Sequence, residues 1–219
     1  KENLIRKLNK NHENIKILIT NNDDPFNSSF NEDSFFSNIH LYTRFFHYRK
    51  IIKYSFANWF YRSRNIKEAY KFKSNNNFLM PPFYINDLHF RSYQDKKKEN
   101  DVVFIGHYEN DNRDKIIKYL LEQGIKIKIY GDKKNWAESC IRETIIFDSI
   151  RPIYGRDYAD EISRSKIALC FLSKQNRDKY TRRCFEIPAA GSLLLSEYNT
   201  FLSNIYKENK EACFFTNKE

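Results

Sequence analysis

The chain has 219 residues and a formal net charge of +10, with 41 % hydrophobic and 16 % aromatic residues. That apolar content supports a packed core and excludes a disordered chain, and the length fits one large domain or two small ones. No stretch approaches the roughly 18 consecutive apolar residues of a membrane-spanning helix, and the start carries no signal-peptide apolar region.

The positive charge favours anionic partners, whether a nucleotide, a phospholipid surface or nucleic acid, without choosing among them. The four cysteines, Cys140, Cys170, Cys184 and Cys213, show no C-x-x-C spacing. They read as reduced core thiols of a cytoplasmic protein, neither a zinc site nor a disulfide frame.

In chain order, residues 15–20 read as a strand and 21–31, rich in Asn, Asp and Ser, as a loop. Asp23-Asp24 before Pro25 reads as a turn-forming pair, with a metal-binding acidic pair as the alternative. Residues 35–53 interleave aromatic and basic side chains, among them His40, Tyr42, Arg44, Phe45, Phe46, His47, Tyr48 and Arg49. The preferred reading is a helix with a basic outer face; the alternative is a nucleic-acid or lipid surface. The next strand is 54–60. Asn65 is expected to cap a helix ending around Phe72, with Glu68 completing a capping box. Residues 77–80 form a short strand halted by Pro81-Pro82, and 86–100, ending in a charged run, read as a linker.

Residues 102–105 read as a buried strand, followed by Gly106-His107-Tyr108 and an Asn/Asp turn. A helix is predicted over 113–123 with Gly124 as its stop. Gly106 lets backbone approach a ligand, and its loop feeds a helix N-terminus, the usual phosphate cradle. A second strand, 125–130, also ends in glycine, at Gly131. Tyr154-Gly155 precede a helix over 157–165, and the apolar run 167–172 is a further strand. Strand–helix alternation is the doubly wound α/β pattern. No repeat and no G-x-x-x-x-G-K-[ST] is present, which argues against a P-loop nucleotidase.

The stretch that organises the rest is Thr181-Arg182-Arg183-Cys184-Phe185-Glu186, in a helix predicted from near Thr181 to Gly191. With the strand before it, the loop 173–180 and the strand at Leu193-Leu194-Leu195, it makes one crossover unit. Arg182 and Arg183 stand at the helix start, where the dipole gives cations no help, so they suggest an anionic ligand. The bland alternative is a solvated basic turn. Arginine forks suit a diphosphate, and a carboxylate such as Glu186 suits a vicinal diol, as in a ribose. Arg183 and Glu186 are three apart and share one helix face. That face is expected to look toward the strand ends, where Gly106 and Tyr154 gather. Lys174 and Arg113 are second choices for the anion. No catalytic base is identifiable: His107 lies on a ligand-side loop, and His12, His40, His47 and His89 lie in the first half.

The string Ser173-Lys174-Gln175-Asn176-Arg177-Asp178, continued by Thr181-Arg182-Arg183-Cys184-Phe185-Glu186-Ile187-Pro188-Ala189-Ala190-Gly191, resembles the CgeB-like, spore-maturation-type family of GT-B glycosyltransferases. The resemblance extends back through Asp101-Val102-Val103-Phe104-Ile105-Gly106, Ile129-Tyr130-Gly131, Ile153-Tyr154-Gly155 and Ser165-Lys166-Ile167-Ala168-Leu169, with weaker matches as far as Asp23-Asp24-Pro25. Ala190 stands where Cys is usual, Ser192 where a second Gly is usual, and Cys184 where Ser or Thr is usual. None of these departures removes a charged group.

The resemblance implies a GT-B fold of two Rossmann-like lobes: a partial acceptor-side lobe over 1–85, a linker over 86–100 and a nucleotide-sugar lobe over 101–219. It implies a glycosyltransferase moving a sugar from a nucleoside-diphosphate sugar to a glycan or glycoconjugate acceptor, as in polysaccharide synthesis, without a metal or other cofactor. It points to Arg183 and Glu186 as the catalytic pair. Donor contacts would come from Gly106, Arg113, Tyr154, Lys174, Asn176, Asp178, Thr181, Arg182, Arg183 and Glu186. Asp178 precedes Glu186 by eight residues, the separation of two acidic residues in many retaining GT-B enzymes, although the first is usually Glu. Such transfer does not require a protein nucleophile. The expected location is cytoplasmic, with peripheral contact at the inner membrane face and no nucleic-acid partner. The start at Lys1 and the stop at Glu219, with family elements missing at both ends, are those expected of a fragment. Two rivals stay open: a basic nucleic-acid- or membrane-binding module acting through 35–53, and a GT-B scaffold that binds donor without turnover.

Overall fold

The structure, a computed structural model, describes residues 2–11, 14–27, 43–90 and 97–217. The chain divides into two compact units, residues 1–81 with 173–178, and residues 82–172 with 179–219. Each holds its own parallel sheet.

In the first unit β1 (Leu18–Asn21), β2 (Ala57–Phe60) and β3 (Asn77–Leu79) lie side by side in that order. Leu18 stands opposite Ala57, and Trp59 opposite Phe78. Parallel neighbours need a crossover, and the Ser63–Tyr70 helix supplies it between β2 and β3. Ala69 of that helix is buried in a small core with Ile52 and Phe60. Asn58, buried within β2, is satisfied by donating to Ile52 O at 3.1 Å and Ser74 Oγ at 2.7 Å.

Asn65 does not cap the Ser63–Tyr70 helix. The helix starts two residues earlier, after an extended Arg62, and Asn65 lies inside it, buried. Its Nδ2 donates to Asp24 Oδ1 and Glu68 Oε2, each at 2.9 Å, which holds the side chain within the helix, and no side-chain oxygen caps the first turn. Asp24 also makes the turn expected before Pro25, its Oδ1 accepting from Phe26 N at 3.1 Å. Of the aromatic and basic stretch 35–53, residues 35–42 lie outside the described residues, as does His12. Phe46–Ile51 is helical and turns Arg49 inward, where Nη1 donates to Pro25 O at 2.6 Å.

The second unit carries β4 (Asn100–Ile105), β5 (Ile127–Tyr130), β6 (Ser165–Cys170), β7 (Leu193–Glu197) and β8 (Cys213–Phe215) in the spatial order β5-β4-β6-β7-β8. Residues 102–105 are all buried, as a strand covered on both faces requires. The Arg113–Glu122 helix brings Ile117 into a core with Phe104, Ile129, Trp136, Leu169 and Phe171. Phe104 meets Trp136 and Phe171 edge to face, with centroids 5.8 and 5.3 Å away. Trp136 Nε1 donates to Gly106 O at 3.1 Å. A Cβ on Gly131 would strike that carbonyl and lie 2.7 Å from the indole nitrogen, so glycine is required there.

The stretch expected as a linker belongs to this unit where it is described. Asn86–Phe90 forms a π-helical turn, and residues 91–96 lie outside the described residues. Lys98 Nζ donates to Ser163 O, Ser165 O and Gly191 O at 2.8, 2.9 and 2.5 Å. It thereby fills carbonyls left open where the helix over Gly155–Ser163 and the helix ending at Ala189 stop. The two α/β units, each on a parallel sheet, have the architecture that a GT-B fold requires of its lobes. Among the described residues no helix is long and apolar enough to cross a membrane.

Candidate functional site

In the second sheet the chain leaves β4 on one side for β5 and returns past it to β6 on the other. Such a switch point opens a crevice at the carboxyl ends of the flanking strands, here β4 and β6. After β6 the chain returns to this unit near Thr181 and forms the Arg183–Ala189 helix, and Gly191, at φ +72°, releases it into β7. Pro188 lies inside this helix and has no N–H for the carbonyl of Cys184. Tyr206 replaces that bond, its hydroxyl donating to Cys184 O at 2.8 Å. Burial pushes the Tyr206 phenol up to about 12, so it stays a donor. Cys184 and Ile187 are buried, which anchors the helix.

Glu186 is also buried, at 8 % exposure, yet it is not isolated. Its Oε2 accepts a 2.6 Å hydrogen bond from the hydroxyl of Tyr158, on the Gly155–Ser163 helix. Burial, and then the Glu186 charge, push the Tyr158 phenol well above its ordinary range, so its proton is fixed at this bond. Glu186 Oε1 faces His89 Nε2 at 3.8 Å and Arg182 Nε at 3.9 Å. Both lie beyond hydrogen-bond distance, and Oε1 is not among the sealed atoms. His89, 2 % exposed on the Asn86–Phe90 turn, is oriented by the backbone N–H of Ile85, 3.0 Å from its Nδ1.

Arg183 is half-buried, and its side chain has no hydrogen bond or ion pair among the described residues. Its charge reaches Tyr158 and Cys170. The exposed Arg182 leans over the Phe83 ring, 5.8 Å from its centroid. Thr181 packs its hydroxyl 3.7 Å from Cys170 Sγ, which is itself 3.7 Å from Cys184 Sγ. Arg183, Glu186, Tyr158 and His89 are therefore gathered in one unit, with one open carboxylate oxygen and one uncommitted guanidinium.

The remaining residues singled out in the sequence are placed differently. Gly106 uses its backbone inside the fold, donating to Tyr130 O at 2.9 Å and accepting from Trp136. Arg113 is buried and its fork is taken: Nε and Nη2 hold Asp111 at 2.8 and 2.6 Å, and Nη1 donates to His107 O at 2.6 Å. Burial opposes its charge, and Asp111 outweighs that effect. Tyr154 is 79 % exposed at the start of the Gly155–Ser163 helix, and Lys174 is exposed. Asn176 and Asp178 lie in the first unit. Asn176 Oδ1 accepts from Asp24 N at 2.9 Å, and Asp178 pairs with Arg62, whose Nε donates to Oδ1 at 2.6 Å. Between them Arg177, at φ +51°, pairs with Asp24 at 2.6 Å and Glu68 at 3.0 Å. Among the described residues no cluster of His, Cys, Asp and Glu could hold a metal ion.

Residues 113–219 match a family model described as glycosyl transferase-like. That stretch is glycosyl transferase-like in sequence. It contains the Arg183–Ala189 helix, Tyr158 and every strand of the second sheet except β4. Among solved structures the chain is similar to one titled crystal structure of GtfA/B complex. The match has 12 % identity and a TM-score of 0.49, and covers 97 % of this chain and 44 % of that one. The chain thus spans less than half the length of that neighbour. No curated protein matches.

Sequence reasoning passed over Tyr158 and set His89 aside. The signal for Tyr158 was present in Tyr158-Ala159 and Ile162, where a tyrosine borders the apolar stripe of a short helix. A buried phenol needs a hydrogen-bond partner, and Glu186 is the one it finds. Nothing local to Asn86–Phe90 signals that His89 faces the same carboxylate.

Proposed function

We propose that the chain is a glycosyltransferase that binds a nucleoside-diphosphate sugar in its second unit and passes the sugar to a glycan or glycoconjugate acceptor. The observation that carries this reading is the pairing, on one helix face, of the uncommitted Arg183 with the open Oε1 of Glu186. Glu186 takes hydroxyls of the ribose, and Arg183 takes the diphosphate. Tyr158 already donates to Oε2, so the diol meets mainly Oε1. The glycosyl transferase-like match over 113–219 supports the same class of reaction.

In the transfer, the bond from the anomeric carbon to the diphosphate breaks and its electron pair leaves with the nucleoside diphosphate. The acceptor hydroxyl oxygen forms the new bond to that carbon, and its proton ends on the departing diphosphate. Arg183, half-buried and uncommitted, turns its guanidinium to the leaving group and offsets the negative charge growing there. Arg182, exposed and 3.9 Å from Glu186, adds to the same positive field. No metal or other cofactor enters the reading. A thermal-shift panel of UDP, GDP and ADP tests it: stabilisation by at least one diphosphate is expected, and indifference to all three would contradict it.

A further inference from the structure

The two oxygens of Glu186 are not equivalent. Oε2 is held by the Tyr158 hydroxyl at 2.6 Å, while Oε1 accepts no hydrogen bond among the described residues and has His89 Nε2 and Arg182 Nε at 3.8 and 3.9 Å. The phenol that makes this distinction comes from a different helix and is itself fixed. Tyr158 is mostly buried, and its ring packs edge-on against His89 with centroids 6.0 Å apart. A carboxylate with one oxygen tethered cannot rotate freely about its last bond, so the open oxygen keeps one direction.

We infer that Tyr158 is a positioning residue for ribose recognition. By tethering Oε2 it aims Oε1 of Glu186 at the ligand and makes the site selective for ribonucleoside diphosphates over those lacking the sugar hydroxyls. This inference rests on the donor-site reading above. It adds that the selectivity resides in the Tyr158–Glu186 pair and not in Glu186 alone. Tyr158 itself touches no ligand. Without its hydroxyl, Oε2 loses its donor, the carboxylate swings, and either oxygen can turn to Arg182 or His89. Both would then compete with the diol.

The test compares UDP, GDP and ADP with their 2′,3′-dideoxy counterparts by calorimetric titration of the whole chain. The wild type should prefer the ribose form of whichever base binds by about ten- to a hundredfold, the worth of a charge-assisted hydrogen bond. Tyr158→Phe should cut that preference at least fivefold, by weakening only the ribose form and leaving dideoxy binding unchanged. A purely structural role would lower both forms alike. Tyr158→Met, which also lacks a donor and fills the space flexibly, repeats the measurement if the phenylalanine variant does not melt cooperatively. A folded variant that keeps the full preference, or loses affinity for both forms equally, overturns the inference and leaves the donor site standing. Failure of both variants to fold also overturns it, since the hydroxyl would then serve the fold. A wild type indifferent to the ribose hydroxyls refutes the ribose assignment of Glu186 itself.

Discussion

Arg62 and Asp178, 116 residues apart in the sequence, form an ion pair in the first unit with both side chains nearly sealed from water. Nε of Arg62 donates to Oδ1 of Asp178 at 2.6 Å, and Nη1 donates to Asn22 O at 2.8 Å. The carboxylate that family spacing offers as a partner for Glu186 is thus already committed to a guanidinium. Removing one member of a buried pair strands the other charge, which costs about 3–5 kcal/mol.

Asp178→Ala is therefore expected to lower the unfolding free energy by about that amount in a urea melt. Asp178→Asn, which keeps an acceptor for Arg62, should lose less. An alanine variant as stable as the wild type would mean that the pair is not formed in solution.

The Tyr206–Cys184 bond makes a second prediction. Tyr206→Phe leaves the Cys184 carbonyl without a donor, and an unsatisfied buried acceptor costs about 1–3 kcal/mol. Adding Pro188→Ala restores a backbone N–H to that carbonyl, so the double variant should recover part of the loss. Simple additivity of the two changes would show that they do not share the carbonyl.

Thiol chemistry gives a third. Cys170 and Cys184 are buried, Cys140 is exposed and Cys213 lies between. An aromatic disulfide reagent should titrate Cys140 and Cys213 in the native chain and reach Cys170 and Cys184 only after denaturation. Cys140 should react slowly for an exposed thiol. Partial burial, and then the Asp114 carboxylate, push its pKa above the ordinary thiol value, so less thiolate is present near pH 8. Its rate should keep rising with pH beyond the range of a free cysteine, and Asp114→Asn should accelerate it.

These predictions draw on parts of the fold that were unequally legible in the sequence. Residues 102–105, 167–170 and 193–195 are apolar runs too short for helices and form strands, fully buried at 102–105 and only in part at 193–195, and Gly124 and Gly191 mark helix ends through their positive φ. The polar network of the first unit was not legible. Asn65, three residues before Glu68, has the local pattern of a cap, but Asp24, 41 residues away, supplies the acceptor that turns it inward. In the same way Arg113 looks like a free cation beside a glycine loop until Asp111, two residues earlier, is seen to fill its fork. Arg183 and Glu186 could be picked out because the site draws on one helix. For Tyr158 the sequence offers only a tyrosine bordering an apolar stripe, and its contact with Glu186, 28 residues away, has no local signature.

Removal of metal is the fourth test. The GT-B resemblance and the commitment of Asp24 to Arg177, Asn65 and its own turn leave that residue poorly placed as a metal ligand. Donor hydrolysis or transfer is expected to survive EDTA. Activity lost to the chelator and restored by Mn²⁺ or Mg²⁺ would contradict this.

The central claim is that Arg183 and Glu186 hold a nucleoside diphosphate. Calorimetric titration of the best-binding diphosphate into the wild type, Glu186→Gln and Arg183→Ala, beside their melting curves, tests it most directly. Glu186→Gln keeps the side-chain size but weakens acceptance from the ribose hydroxyls, a change of roughly 1.5–3 kcal/mol. Affinity should fall by about ten- to a hundredfold. Arg183→Ala should weaken the diphosphate more than the bare nucleoside, since only the former carries the charge that the guanidinium meets. Folded variants that both bind the diphosphate as tightly as the wild type would contradict the account.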